Sequence, residues 1–170
     1  MKRLPLIIIA LLLADLAAAQ EAKPAELTIG EEGLYQYQEV LEAPGTADEL
    51  YDRAMTWVAL RYNSANDVVQ LRDKENHRII VKGNWQQAAY LGMATLFIHH
   101  TLQVETRDGR YRVSYGSFLV ENAGSPGVLT AFESNMAGGK GIRRKAGDRV
   151  RDMIADLHTA MQEQSTEDEW

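Results

Sequence analysis

Two segments carry a helical apolar stripe, one towards each end of the chain. Between them lie four consecutive segments with the two-residue alternation of strands. That order leaves few architectures open. Consecutive strands joined by tight turns pair antiparallel, and two amphipathic helices cover only one face of such a sheet. The expected fold is therefore α+β, in the order β-α-β-β-β-β-α, an antiparallel sheet with two helices packed on one face and the other face open.

The individual segments follow from local chemistry. "LYQYQEVLEA" (34–43) alternates and is rich in aromatic and branched residues, so it predicts a strand. Thr46 and Glu49 then form a Thr-x-x-Glu capping box. Behind it Leu50, Ala54, Trp57 and Val58 share one face of a helix expected over 47–62. Strands are expected at 66–73, 78–85, 90–106 and 111–122, with Asp108-Gly109 marking a hairpin between the last two. In the last strand the inward set Tyr111, Val113 and Tyr115 gives way to Phe118 and Val120, a slip of one residue that predicts a bulge at Gly116-Ser117. From Arg144 to Gln162 the residues Ala146, Val150, Met153, Ile154, Leu157 and Met161 form one stripe without Trp or Phe, the pattern of a core-packing helix and not of a membrane-surface one.

The two ends have a different character. "MKRLPLIIIALLLADLAAAQ" has the positive start, the apolar run and the small residues of a secretory signal, which places cleavage before Gln20. The run is too short to span a bilayer and Asp15 interrupts it, so no stable membrane anchor is expected once residues 1–19 are gone. The expected location is the periplasm or the exterior, after passage through the inner membrane. Residues 20–33 read as a flexible leader, 34–162 as one domain, and 163–170 as an acidic, disordered tail.

Composition excludes several function classes. The chain contains no cysteine, which removes disulfides, thiol catalysis and lipid attachment at a signal-peptide cysteine. Taking Lys2, Arg3 and Asp15 from 18 basic and 24 acidic residues leaves 16 and 23, an acidic body that argues against nucleic acid as a partner.

The run "PGTADELYDRAMTWVALRYNSANDVVQLRDKENHRIIVKG", continued by the alternating stretch near "TLFIHHTLQVETRDGRYRV", resembles a domain-of-unknown-function family of secreted bacterial proteins, common in Bacteroidetes, with a TATA-binding-protein-like fold. The resemblance spans roughly residues 34–122 and implies that fold with one open sheet face. It brings no activity, catalytic residue or cofactor, and a fold of this kind does not imply DNA binding.

Three constellations remain. "SNMAGGKGIRRKAGD" has the glycines and cations of a phosphate loop but not its pattern. Ser134 stands where the first glycine should be, and Gly141 where the magnesium-holding hydroxyl belongs. It reads as a hinge first and, through Lys140, Arg143 and Arg144, as a secondary anion site. The histidines do not form a metal set, because His99 and His100 are adjacent and point to opposite faces of a strand, which puts His100 on the core side. No metal, cofactor or catalytic residue is expected.

Alternation also defines the open face. It is expected to carry Arg72, Arg78, Lys82, His99 and Arg112 against one acid, Glu105, as a ligand-binding surface. The function expected is a non-enzymatic module that binds an envelope ligand, whether anionic glycan, lipid headgroup or protein. The alternative is a hydrolase with its site near the 123–143 loop.

Overall fold

The computed structural model describes residues 26–62, 64–134 and 139–163. The expected signal segment, most of the leader and the tail beyond Glu163 lie outside the described residues. The elements run β1 (Thr28–Ile29), β2 (Tyr35–Glu42), α1 (Ala47–Arg61), α2 (Ala65–Val68), β3 (Val69–Asp73), β4 (Arg78–Ala89), β5 (Ala94–Arg107), β6 (Arg110–Asn122), β7 (Leu129–Ala131) and α3 (Gly139–Gln162). The sheet has the order β1-β2-β6-β5-β4-β3, with β7 beside the second half of β6. Every pairing is antiparallel. The expected α+β architecture stands, with short additions at its margins.

Thr46 and Glu49 make the reciprocal cap. The Glu49 N–H donates to the Thr46 hydroxyl at 3.3 Å, and the Thr46 N–H donates to the Glu49 carboxylate at 2.7 Å. Leu50, Ala54, Trp57 and Val58 of α1 and the predicted stripe of α3 bury themselves against one face of the sheet, on Ile79, Val81, Ile98, Leu102, Val104, Tyr111, Val113 and Tyr115. The two helices also meet directly, the Trp57 indole N–H donating to Asp156 at 3.1 Å.

The bulge in β6 lies where the phase slip placed it. The β5–β6 register breaks between His99 and Thr101, and Ser117 takes φ 52°, a left-handed value costly for any residue with a Cβ. Tyr115 and Phe118 therefore both face the core across an odd interval.

Several expectations need correction. Thr28 and Ile29, assigned to the leader, pair with β2. The segment expected as a strand from 66 begins with the helical turn α2, so β3 starts at Val69. The strand expected over 90–106 begins at Ala94, because Tyr90, Leu91 and Gly92 form a turn with φ of 51°, 57° and 89°. A further short strand, β7, occupies part of the expected loop. The basic stretch from Gly139 to Lys145 is not hinge but the first two turns of α3.

Candidate functional site

The open face has the opposite strand positions from the core. Lys82 lies across from Thr101, Asn84 from His99, and His99 from Leu119, so these side chains project together from the side away from the helices. They line a hollow of about 630 Å³ that also takes in Val68 and Leu129 and is bounded by Tyr62 and Ser64 where α1 ends. β3 pairs with β4 only as far as Val81, so the hollow lies where β4 has lost its strand neighbour.

His99 is held by a fixed hydrogen bond, its Nε2–H donating to the Glu121 carboxylate at 2.7 Å. The Gly127 N–H donates to the other oxygen of Glu121, also at 2.7 Å. These two donors, the backbone amide first, hold the Glu121 carboxyl below the usual carboxylate range. The loop after β6 is thereby tied to the rim of the hollow. Among the described residues, no acidic side chain pairs with Lys82.

On the core side His100, which also lines the hollow, is 2 % exposed. It lies against Trp85, Tyr115 and Tyr62, with its Nε2 3.2 Å from the Tyr62 hydroxyl. Burial pushes its pKa down to about 4, so at neutral pH the ring is uncharged. Gly83 separates the two layers. A Cβ there would overlap the Tyr62 ring, and glycine is what lets α1 end so close to the sheet.

The five residues predicted for the open face do not form one surface. Lys82 and His99 share the hollow. Arg78 lies on the same face but stands in register between Asp73 and Glu105, and Arg112 pairs with Glu105. Arg72 is on the other side. The β3–β4 register shifts between Val69 and Leu71, so Arg72 stands across from the core residue Ile79 while Leu71 moves to the open face beside Ile80. The positive face that simple alternation predicts is thus largely answered by Asp73, Glu105 and Glu121. Of the secondary candidates, Lys140 and Arg144 are exposed on α3, and the Arg143 guanidinium lies 5.4 Å from the centre of the Tyr35 ring.

Asn84, Leu119 and Leu129 were missing from the expected site. Asn84 and Leu119 fall on its face by alternation once the bulge is placed, whereas Leu129 arrives through β7, which has no periodic signal. Among the described residues no three His, Asp or Glu side chains gather in a way that could hold a metal ion.

An antiparallel sheet with two helices on one face and a lined hollow on the other defines an α+β protein of the TBP-like class. Residues 37–120 match the family model "Domain of unknown function (DUF4468) with TBP-like fold", and this part of the chain belongs to that family. The chain is similar in fold to a DUF4468 family protein from Bacteroides ovatus, with a TM-score of 0.63 and 18 % identity over 81 % of this chain and 91 % of that one. It is also similar to a TBP-like protein from Parabacteroides distasonis, with a TM-score of 0.59 and 13 % identity over 78 % and 95 % of the two chains. No curated protein matches.

Proposed function

We propose that the protein is a non-enzymatic binding module of the bacterial envelope, which takes the anionic group of a glycan or lipid headgroup in the hollow on its open sheet face. The observation that carries this reading is Lys82, exposed, without an acidic partner among the described residues, and set beside His99 in a hollow with apolar walls. In this reading Lys82 supplies charge, Asn84 and Thr101 supply neutral hydrogen bonds, and Val68, Leu119 and Leu129 pack against the ligand's carbon skeleton.

Export supports an envelope role, since residues 1–19 read as a cleavable signal. The mass of the protein recovered from a periplasmic fraction should correspond to a chain starting at or within a residue or two of Gln20. An intact Met1 there would refute the export reading.

The hydrolase alternative has less support. The segment 123–143 contains no histidine, and its one carboxylate, Glu133, accepts the Tyr35 N–H at 2.7 Å.

The test is a calorimetric titration with oligogalacturonate and, separately, with a short-chain phosphatidylglycerol below its micelle concentration. One of the two should bind at low salt and weaken as salt rises. Lys82→Glu should reduce that affinity at least about tenfold, a loss of roughly 1.4 kcal/mol. Equal binding by Lys82→Glu, or no binding of either anion at low salt, would overturn the proposal.

A further inference from the structure

The β4–β5 hairpin ends in a tip that is apolar and held out of the fold. Leu91 is fully exposed and Met93 is 83 % exposed, although both are side chains that folding normally buries. The tip is fixed in a turn with three successive left-handed residues, two of which, Tyr90 and Leu91, carry side chains. Tyr90 lines a hollow of about 200 Å³ together with Val128, which is itself 62 % exposed. Exposed apolar side chains of the tip and of the loop before β7 thus form a patch of neighbours, with Asn122, Ser125 and Thr130 between them.

Positive charge sits beside this patch. The Lys145 ammonium donates to the Ala88 carbonyl at 3.1 Å, and the Gln87 amide donates to the Ile142 carbonyl at 3.2 Å. The start of α3 is thereby placed two or three residues from the tip. That start carries Lys140, Arg143, Arg144 and Lys145, with no acid in its first turn. Cations at the N-terminal end of a helix oppose its field, so their clustering there is unfavourable to the isolated fold. The carboxylates nearest in sequence are occupied, Glu133 by the Tyr35 N–H and Asp148 by Arg151.

We propose that this end of the molecule is a peripheral membrane contact, with Leu91 and Met93 entering the acyl boundary of an anionic bilayer and the α3 cations meeting its headgroups. Exposed apolar side chains on a fixed tip, flanked on one side by the Lys and Arg of the α3 start on an otherwise acidic protein, match the two parts of such a surface. A protein partner for the apolar tip alone would leave the cations unexplained. The contact is separate from the hollow around Lys82 and stands or falls independently of it.

The chain has no cysteine, so Met93→Cys provides a single attachment point for an environment-sensitive fluorophore, and Leu60→Cys on α1, 85 % exposed in the parent chain, provides the control. With vesicles of phosphatidylcholine and phosphatidylglycerol the label at 93 should shift to the blue and be quenched by a spin label within the bilayer, while the label at 60 should not respond. Arrival of the chain through another segment would leave position 93 in water. Adding Lys140→Glu and Arg144→Glu should lower vesicle partitioning roughly thirtyfold or more, because each cation near an anionic surface is worth about a factor of five. Acids are favoured at a helix start, so the fold should survive that change, as circular dichroism will report. Lys82→Glu should leave the label's response at position 93 in place. Equal responses at 60 and 93, an equal response to purely zwitterionic vesicles, or a label that shifts only with rising protein concentration would each overturn the proposal, the last by assigning the tip to a second copy of the chain.

Discussion

His100 should make this protein lose stability as the solution becomes mildly acidic. Its ring is buried among Trp85, Tyr115 and Tyr62, with centroid separations of 4.6, 5.4 and 6.4 Å. Burial lowers its pKa to about 4, and the neighbouring His99 acts in the same direction. In the unfolded chain an ordinary histidine titrates near 6.5, so between these values the unfolded state binds a proton that the folded state refuses. Stability is therefore full above about pH 6.5 and falls as the pH drops towards 4. At about 1.4 kcal/mol per pH unit the loss reaches about 3 kcal/mol near pH 4.

The assay is a series of urea melts from pH 7 to pH 4 on the parent chain and on His100→Phe. Phenylalanine keeps an aromatic ring in the stack but leaves the Tyr62 hydroxyl without its nitrogen partner, which should lower stability at pH 7 by about 1 kcal/mol. Its pH dependence should be flatter than the parent's by about 3 kcal/mol over the same range. The carboxyl groups of Glu49, Asp73 and Glu121, each held below its usual range, contribute stability that is lost at lower pH as they protonate, and they do so in both proteins. Parallel pH profiles for parent and variant would refute the assignment of a neutral, buried His100.

Two further outcomes test the two faces of the sheet. Trp57→Ala and Leu157→Ala empty core positions and should each destabilise by about 2–5 kcal/mol, whereas Lys82→Ala should stay within about 0.5 kcal/mol, and denaturant melts that reverse this order would mean the faces are exchanged. Gly83→Ala should cost roughly 1–3 kcal/mol, because the added methyl must displace the Tyr62 ring; a neutral result would show that the end of α1 gives way freely.

What the sequence disclosed about this fold depended on whether a local pattern had one solution. From Ile79 to Val120 apolar side chains recur on one phase, with Ile80, Phe97 and Leu119 the exceptions on the other, so the buried set, His100 included, followed from alternation. Even the bulge was visible, because Tyr115 and Phe118 cannot both face inward without an extra residue between them. β3 lacked that uniqueness. In "VVQLR" apolar residues occupy both phases, and the register shift between Val69 and Leu71 leaves Leu71 on the open face and Arg72 on the helix side. No pattern of polarity could reveal it, and Arg72 went to the wrong face with it.

The start of α3 and the hairpin tip were missed for the converse reason, because there tertiary contacts overrule local preference. Gly141 weakens a helix by about 1 kcal/mol relative to alanine, and the cations beside it oppose the helix field. Residues 139–145 are nevertheless helical, held by buried Ile142, by Gln87 on the Ile142 carbonyl and by Arg143 on the Tyr35 ring. Tyr90 and Leu91, residues suited to a strand, are instead bent into left-handed conformations that leave Leu91 exposed. Both departures occur at the same end of the sheet, where residues 87–88 meet the start of α3. Local rules that fail together at one place mark a region where folding was not the sole constraint on sequence. The unfavourable cations and the exposed apolar tip are then two parts of one surface, and an anionic bilayer is the environment in which both become favourable.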